Sequence, residues 1–212
     1  MSSSPPSITG TIPPSSRQTK GDRTRQALLE AAIVRFARDG YRGTSVADIC
    51  RDASLSTTAS YPYYANKEAL FVAAVDEDVA DLINEAVSLV SISVERDHWG
   101  RVMVRGLVEQ MDSHPLAKRI VRGLEPEFTM RLLDIPALAE LRKMATELIR
   151  VEQADGRVRL DIDPEQTANG MTVIVISLLM AVMQTGGDGF EAVADDVEAV
   201  LNAATRPPRP PS

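Results

Sequence analysis

The sequence predicts an all-α protein in two parts: a small N-terminal unit of three helices, and a larger helical body joined to it by a long helix. Three observations carry that expectation. Residues 24–71 read as an amphipathic helix, a Gly-Tyr break, a short capped helix, a tight turn and a second short segment rich in hydroxyls and tyrosines. Neither glycine nor proline falls between Pro62 and Gly100, and apolar residues recur through that stretch at helical spacing. From Gly170 to Met183 the chain reads GMTVIVISLLMAVM, apolar almost all round, as a helix buried on every side must be. No credible set of strands interrupts this pattern.

Composition sets the frame. A chain of 212 residues can bury a sizeable core. Aromatic residues make up only 4%, so that core must be mostly Leu, Val, Ile, Ala and Met. The single cysteine, Cys50, excludes an internal disulfide and fits a reducing cytoplasm, the expected location. The N-terminus lacks the basic patch and apolar run of a secretory leader. Residues 1–20 and 206–212, rich in Ser and Pro, are expected to be disordered tails around domains at 21–66 and 67–205.

Charge is divided unevenly. Residues 17–67 carry nine basic and five acidic side chains, a net +4; residues 1–16 are uncharged, so the total of −7 leaves −11 for the remainder. A basic head on an acidic body orients the head toward a polyanion.

The first helix is expected from Asp22 to Asp39, with Leu28, Ala31, Ala32 and Phe36 on one face and Gly40 as a left-handed C-cap. Tyr41 then packs back on the small core. The second helix starts at Thr44 or Ser45, where Ser45 and Asp48 approximate a capping box. Val46, Ile49, Cys50 and Ala53 form its buried stripe, which makes Cys50 a small core residue. Ser56 is placed to cap a third helix of about two turns carrying Thr57, Thr58, Ser60, Tyr61 and Tyr63. Such hydroxyls and rings reach phosphates and base edges, and the absence of Arg, Asn and Gln there argues against bidentate base recognition. The layout is a helix-turn-helix, whose second short helix can enter a DNA major groove.

The order F-A-x-x-G-Y, T-S-V-x-D-I, S-x-x-x-x-Y-x-Y-Y and N-K-E-A-L-F resembles the N-terminal domain of the TetR family of transcriptional regulators. The resemblance implies an N-terminal three-helix helix-turn-helix domain joined by a long helix to a helical ligand-binding and dimerisation domain. It implies double-stranded DNA with a palindromic operator as partner, a homodimer, and a small-molecule effector. Two positions depart from the family pattern. Ser54 stands where glycine is common because the backbone tends to positive φ, and Pro62 falls inside the third helix at a position that usually faces DNA. Tyr61 and Tyr63 match positions that touch the DNA backbone, and Tyr64 matches a core position. Lys67, just after the N-cap Asn66, matches a phosphate-contacting lysine; a cation in the first turn opposes the helix dipole unless an anion docks there. The expected DNA-facing set is Arg25, Thr44, Ser45, Ser56, Thr57, Thr58, Ser60, Tyr61, Tyr63 and Lys67.

Beyond the long helix, Trp99–Met111 and Pro115–Val121 read as helices, and Pro126, Pro136 and Pro164 suit first turns of others. An adaptable apolar pocket for the effector is expected from Trp99, Met103, Met111, His114, Phe128, Met144 and Asn169. The apolar helix and the last helix predict a four-helix dimer interface through Ile176, Leu179, Met183, Val193, Val197 and Val200. Catalysis, a metal and a cofactor are not expected. The only imidazoles, His98 and His114, fit no zinc spacing, and neither a nucleophile motif nor a phosphate-cradling glycine loop is present. The alternative is a helical ligand- or protein-binding module that does not bind DNA.

Overall fold

The computed structural model describes residues 19–92, 99–186 and 190–207. The expectations for 1–18, for 208–212 and for His98 lie outside the described residues, as do the side chains of Trp99 and Val193.

Helix α1 spans Lys20–Gly43 and starts earlier than expected, so Thr19 and Lys20 belong to the head and not to a tail. The reason is a reciprocal cap: the Asp22 amide donates to Thr19 Oγ1 (3.1 Å) and the Thr19 amide to Asp22 Oδ2 (2.9 Å). Gly40 interrupts the helix at φ 76°, ψ 169°. Its φ is positive, as the sequence requires, but its ψ is not that of a left-handed cap. The chain is instead turned so that one further helical turn, Tyr41–Gly43, follows.

Helix α2 is Val46–Asp52, capped by Ser45 Oγ accepting from the Asp48 amide (3.2 Å). It buries Ile49 and Cys50. Its end is closed by the Leu55 amide donating to the Cys50 carbonyl (2.8 Å), with Ser54 at φ 56°. A serine Cβ is disfavoured in that conformation by about 1–2 kcal/mol. Glycine there regains this, less its own entropic cost of about 0.5–1 kcal/mol. Ser54→Gly is therefore expected to raise stability by roughly 0.5–1 kcal/mol, read as an increase in the urea midpoint with unchanged slope.

The third helix differs from expectation. It is a single 3₁₀ turn at Thr57–Ala59, followed by turns to Tyr63. Pro62 has no N–H to continue a ladder. The Tyr63 and Tyr64 amides both donate to the Ser60 carbonyl (3.0 Å each), which closes the segment. Ser56 makes no cap; its hydroxyl pairs with that of Thr58 at 3.0 Å.

Helix α3, Lys67–Ile92, begins on Asn66, whose Oδ1 accepts from the Ala69 amide (2.8 Å). Its 26 residues make a rod of about 39 Å. It buries Leu70, Phe71, Ala74, Val75, Val79, Leu82, Ile83 and Ala86, some against the head and some against the body. The body follows as α4 (Trp99–Gln110), α5 (Pro115–Val121), the single turn α6 (Pro126–Thr129), α7 (Pro136–Ala154), α8 (Pro164–Thr185) and α9 (Phe190–Thr205). No strand occurs among the described residues. Prolines occupy the first turns of α5, α7 and α8, where the missing N–H costs nothing.

Head and body share one core. Leu28, Phe36 and Ile49 of the head are continuous through Phe71 with Ile120, Phe128, Leu138 and Leu179 of the body. Aromatic rings make the junction: Phe36 meets Phe71 at 4.9 Å, Tyr41 meets Phe128 at 4.8 Å, and Phe71 meets Phe128 at 4.4 Å between centroids.

Candidate nucleic-acid interface and its connection to the body

The head spends most of its charge internally. Arg35 reaches from α1 to Asp39 (3.1 Å), Asp52 (3.0 Å) and Asp48 (3.7 Å), locking α1 to α2. Arg38 pairs with Asp39 and Arg51 with Asp48. The hydrogen bond from Arg38, helped by Arg35, holds the Asp39 carboxyl at about 2. Lys20, Arg23 and Arg25 are exposed at the start of α1 and form no salt bridge among the described residues. They lie close to the recognition turn, since the Tyr63 hydroxyl is 3.4 Å from where a side chain on Gly21 would begin.

Of the DNA-facing set, Arg25, Ser45, Ser56, Thr57, Thr58 and Tyr61 are exposed, Tyr61 at 67%. Two members are corrected. Thr44 is 3% exposed and donates its hydroxyl to the Gly40 carbonyl (2.8 Å). Ser60 is 2% exposed and donates to the Thr57 carbonyl (3.0 Å). Both hydroxyls serve the chain's own carbonyls where helices break. Tyr63 is half-buried against the core, and Tyr64 is buried as expected. Pro62, which departs from the family pattern at a position that usually faces DNA, is exposed beside Tyr61.

Lys67 resolves its conflict with the helix dipole from within. Its ammonium donates to the carbonyls of Tyr41 (3.0 Å) and Thr44 (3.1 Å) and sits 4.3 Å over the Tyr41 ring. Those carbonyls lie at the negative end of the turn after Gly40, so the cation that opposes one helix caps another. One of its three N–H groups remains for a phosphate.

The body grips the head at the Gly40 break. Glu125, buried before α6, accepts from the Tyr41 amide (3.0 Å) and from Arg119 Nε (2.7 Å). Arg119 also donates to the Ala37 carbonyl at 3.4 Å. Both side chains occupy the space over Gly40: a Cβ there would meet Arg119 Nη2 at 2.5 Å and Glu125 Oε1 at 2.8 Å. Arg42 adds a surface pair with Glu127 (2.9 Å). Helix α5, which carries Arg119, is tied to α3 at its other end. There buried Asp78 accepts from the Leu116 (2.9 Å) and Ala117 (2.7 Å) amides. His114 lies between Asp78 and Glu85, 3.3 Å from each. Burial pushes the Asp78 carboxyl above the ordinary carboxylate range, against the pull of the Ala117 amide and His114.

Alongside α5 lies an apolar cavity of about 50 Å³. Val79, Leu82 and Ile83 of α3, Ala117 and Val121 of α5, and Val175, Ile176 and Leu179 of α8 wall it, and Thr172 supplies its one hydroxyl. None of the residues expected to line a pocket is on this wall. Met111 is packed in the core and Met103 against it. His114 is held by carboxylates. Phe128 stacks at the head–body junction and lines a separate cavity of about 220 Å³ with Phe71, Ile120 and Leu132. Met144 is exposed, and exposed Asn169 borders an open cleft of about 310 Å³ with Arg142 and Glu165. Branched side chains, not methionines, border the space beside α5, because they cannot fold over to fill it.

The dimer expectation also needs correction in its residues. Ile176 and Leu179 face the cavity, Met183 and Val197 pack on their own protomer, and only Val200 of the described set projects outward. The outward face of α8 is Gly170, Val173, Ile174, Ser177 and Ala181, spaced as one helical stripe. A Cβ on Gly170 would meet nothing within 4 Å.

A short helix-turn-helix with an exposed hydroxyl- and tyrosine-bearing turn, carried by a long helix out of a helical body, defines a DNA-binding regulator. Residues 28–74 match the family model described as bacterial regulatory proteins, tetR family. The head is therefore a DNA-binding domain of the tetR type, and the chain as a whole is similar to transcriptional regulators. It is 27% identical over 186 residues to the transcriptional repressor AcnR of Corynebacterium jeikeium, covering 83% of this chain and 90% of that protein. It is 23% identical over 167 residues to the regulator UidR of Escherichia coli, covering 78% and 83%. In fold it is similar to a TetR-family regulator from Cytophaga hutchinsonii, with a TM-score of 0.69 at 21% identity, covering 92% and 100% of the two chains. It is also similar to FadR of Bacillus subtilis, solved with stearoyl-CoA, with a TM-score of 0.63 at 12% identity and coverage of 84% and 98%.

Proposed function

We propose that this protein is a dimeric repressor that holds a palindromic DNA site and releases it when a small apolar molecule enters the cavity beside α5. The observation that carries this reading is the placement of α5. One of its faces walls the cavity, and the same helix sends Arg119 to the break at Gly40. A space of about 50 Å³ is well below the roughly 300–1,000 Å³ of ordinary ligand sites, so an effector has to spread α5 and α8. A ligand that binds only the spread form favours it by linkage, and the grip on the head changes with it. The cavity wall has a single hydroxyl, which fits an apolar effector without a charged group inside.

Phosphate contacts fall to Lys20, Arg23 and Arg25 and to the remaining N–H of Lys67. Lys67→Ala is expected to lower the salt slope by roughly one unit per half-site. Because its ammonium also caps two carbonyls, the same change should lower the thermal midpoint. A lower midpoint with an unchanged slope assigns Lys67 to structure alone.

Two copies are proposed to meet through the Val173–Ile174 stripe of α8 and Val200 of α9. The alternative, a module without DNA binding, draws on the shortened third helix. Transcription in vitro from a promoter carrying a selected site tests the whole. Adding the protein should reduce it, and an apolar compound that raises the thermal midpoint should restore it. A rise in transcription on adding protein contradicts repression, and failure to bind any duplex favours the alternative.

A further inference from the structure

We infer that this protein distinguishes its DNA sites chiefly by the C5-methyl groups of thymine, met by apolar contact from Thr57, Thr58, Tyr61 and Pro62. The inference rests on the DNA-binding reading and adds to it the chemistry of base recognition.

The segment from Leu55 to Ala65 reads LSTTASYPYYA. It holds none of the side chains that make paired hydrogen bonds to a guanine or an adenine, and no carboxylate to accept from a cytosine amino group. Its hydroxyls are also partly committed. Ser60 is buried on the Thr57 carbonyl, and the Ser56 and Thr58 hydroxyls face each other at 3.0 Å. The exposed residues of the segment are rich in carbon: Tyr61 and Pro62 carry rings, and Thr57 and Thr58 each carry a methyl group. The 3₁₀ turn and the missing N–H of Pro62 keep these groups together on one short knuckle.

The thymine methyl is the one apolar group that projects into the major groove, and it lies among donors and acceptors. A proline or tyrosine ring laid against a donor or acceptor leaves that group without a partner and costs affinity. The same surface therefore favours thymine and disfavours guanine and cytosine at the positions it covers. Lys20, Arg23 and Arg25, at the adjacent start of α1, supply sequence-independent attraction to phosphate. Affinity and discrimination thus come from different elements of the head.

The test uses the full-length protein and a duplex selected by it from random sequence. Each thymine of one half-site is replaced singly by deoxyuridine, which deletes the methyl and leaves the hydrogen-bonding pattern intact. Affinity is read by fluorescence anisotropy at fixed salt. The expected loss is roughly fourfold for each methyl in contact, at two or more thymines per half-site. Thr57→Ser and Thr58→Ser, which remove only a methyl from the protein, should each erase the deoxyuridine effect at one of those positions. Unchanged affinity at every substitution, with the parent duplex still bound, overturns the inference and leaves the DNA-binding reading standing. Loss on replacing guanine by 7-deazaguanine but not thymine by deoxyuridine also overturns it, and assigns base reading to an arginine outside the segment. A chain that binds no duplex at all overturns both.

Discussion

Replacing Gly40 by alanine should lower the thermal midpoint by roughly 5–12 °C and weaken DNA binding in the same step. Two independent costs converge on this residue. Its φ of 76° with ψ of 169° is open to glycine and costs a side-chain-bearing residue about 1–3 kcal/mol. The added carbon also falls 2.5 Å from Arg119 Nη2 and 2.8 Å from Glu125 Oε1, so the clasp that holds the Tyr41 amide has to open. Together the cost is about 2–4 kcal/mol. Glu125→Ala approaches the same point from the body, leaving Arg119 and the Tyr41 amide without their acceptor, and should weaken DNA binding similarly. Differential scanning calorimetry together with anisotropy on a selected duplex checks both. A Gly40→Ala protein with an unshifted midpoint would remove the clasp from the account.

If two copies meet through α8 as proposed, Ile174→Asp should give monomers that remain folded, and DNA affinity should collapse with it. Ile174 is 38% exposed in the protomer, so an aspartate there is tolerated by a single chain. Across an association interface, the same carboxylate is a buried charge without a partner and costs several kcal/mol. Leu179→Asp offers the contrast. Leu179 is buried within its own protomer beside the cavity, so its aspartate should unfold the body. Sedimentation velocity at micromolar concentration and far-UV circular dichroism separate the two outcomes. If Ile174→Asp and Val173→Asp both remain dimers, α8 does not carry the interface.

What was legible in the chain was mostly local. The Ser45 cap, the buried Cys50 and the proline-started helices each depend on a few neighbouring residues and stand as expected, while the positive φ at Ser54 and the buried Tyr64 agree with what the family resemblance implied. The conformation of Gly40 depends on Arg119 and Glu125, some eighty positions away, and a pattern of neighbours does not contain it. Thr44 and Ser60 carry side chains equally suited to a phosphate and to a backbone carbonyl, and only the position of the helix breaks decides between them. Helix α8 was expected to be buried on every side, one face on its own body and the other on a second chain; in the protomer Val173, Ile174 and Ser177 are exposed. Its apolar residues run all round, so the pattern carries no phase, and Ile176 and Leu179 were placed on the wrong side. The cavity was missed for a related reason. Methionine and histidine suggest a pocket by their chemistry, whereas this space is bordered by the branched residues that make an ordinary core. The exposed cations at the start of α1 were visible in the charge split, but their separation from the paired arginines of α1 and α2 was not.

The most direct test of the central claim, that the exposed turn after α2 is a DNA-reading surface held in duplicate by a dimer, is selection of duplexes from a fully random pool by the purified protein. The expected product is an inverted repeat whose half-sites lie about one helical turn, roughly 34–36 Å, apart. It should be bound by one dimer with an affinity that falls steeply as salt rises, and Tyr61→Ala with Pro62→Ala should abolish the enrichment while leaving the thermal midpoint nearly unchanged. Enrichment of no sequence by a folded dimer, or enrichment that survives the loss of both Tyr61 and Pro62, would contradict the account.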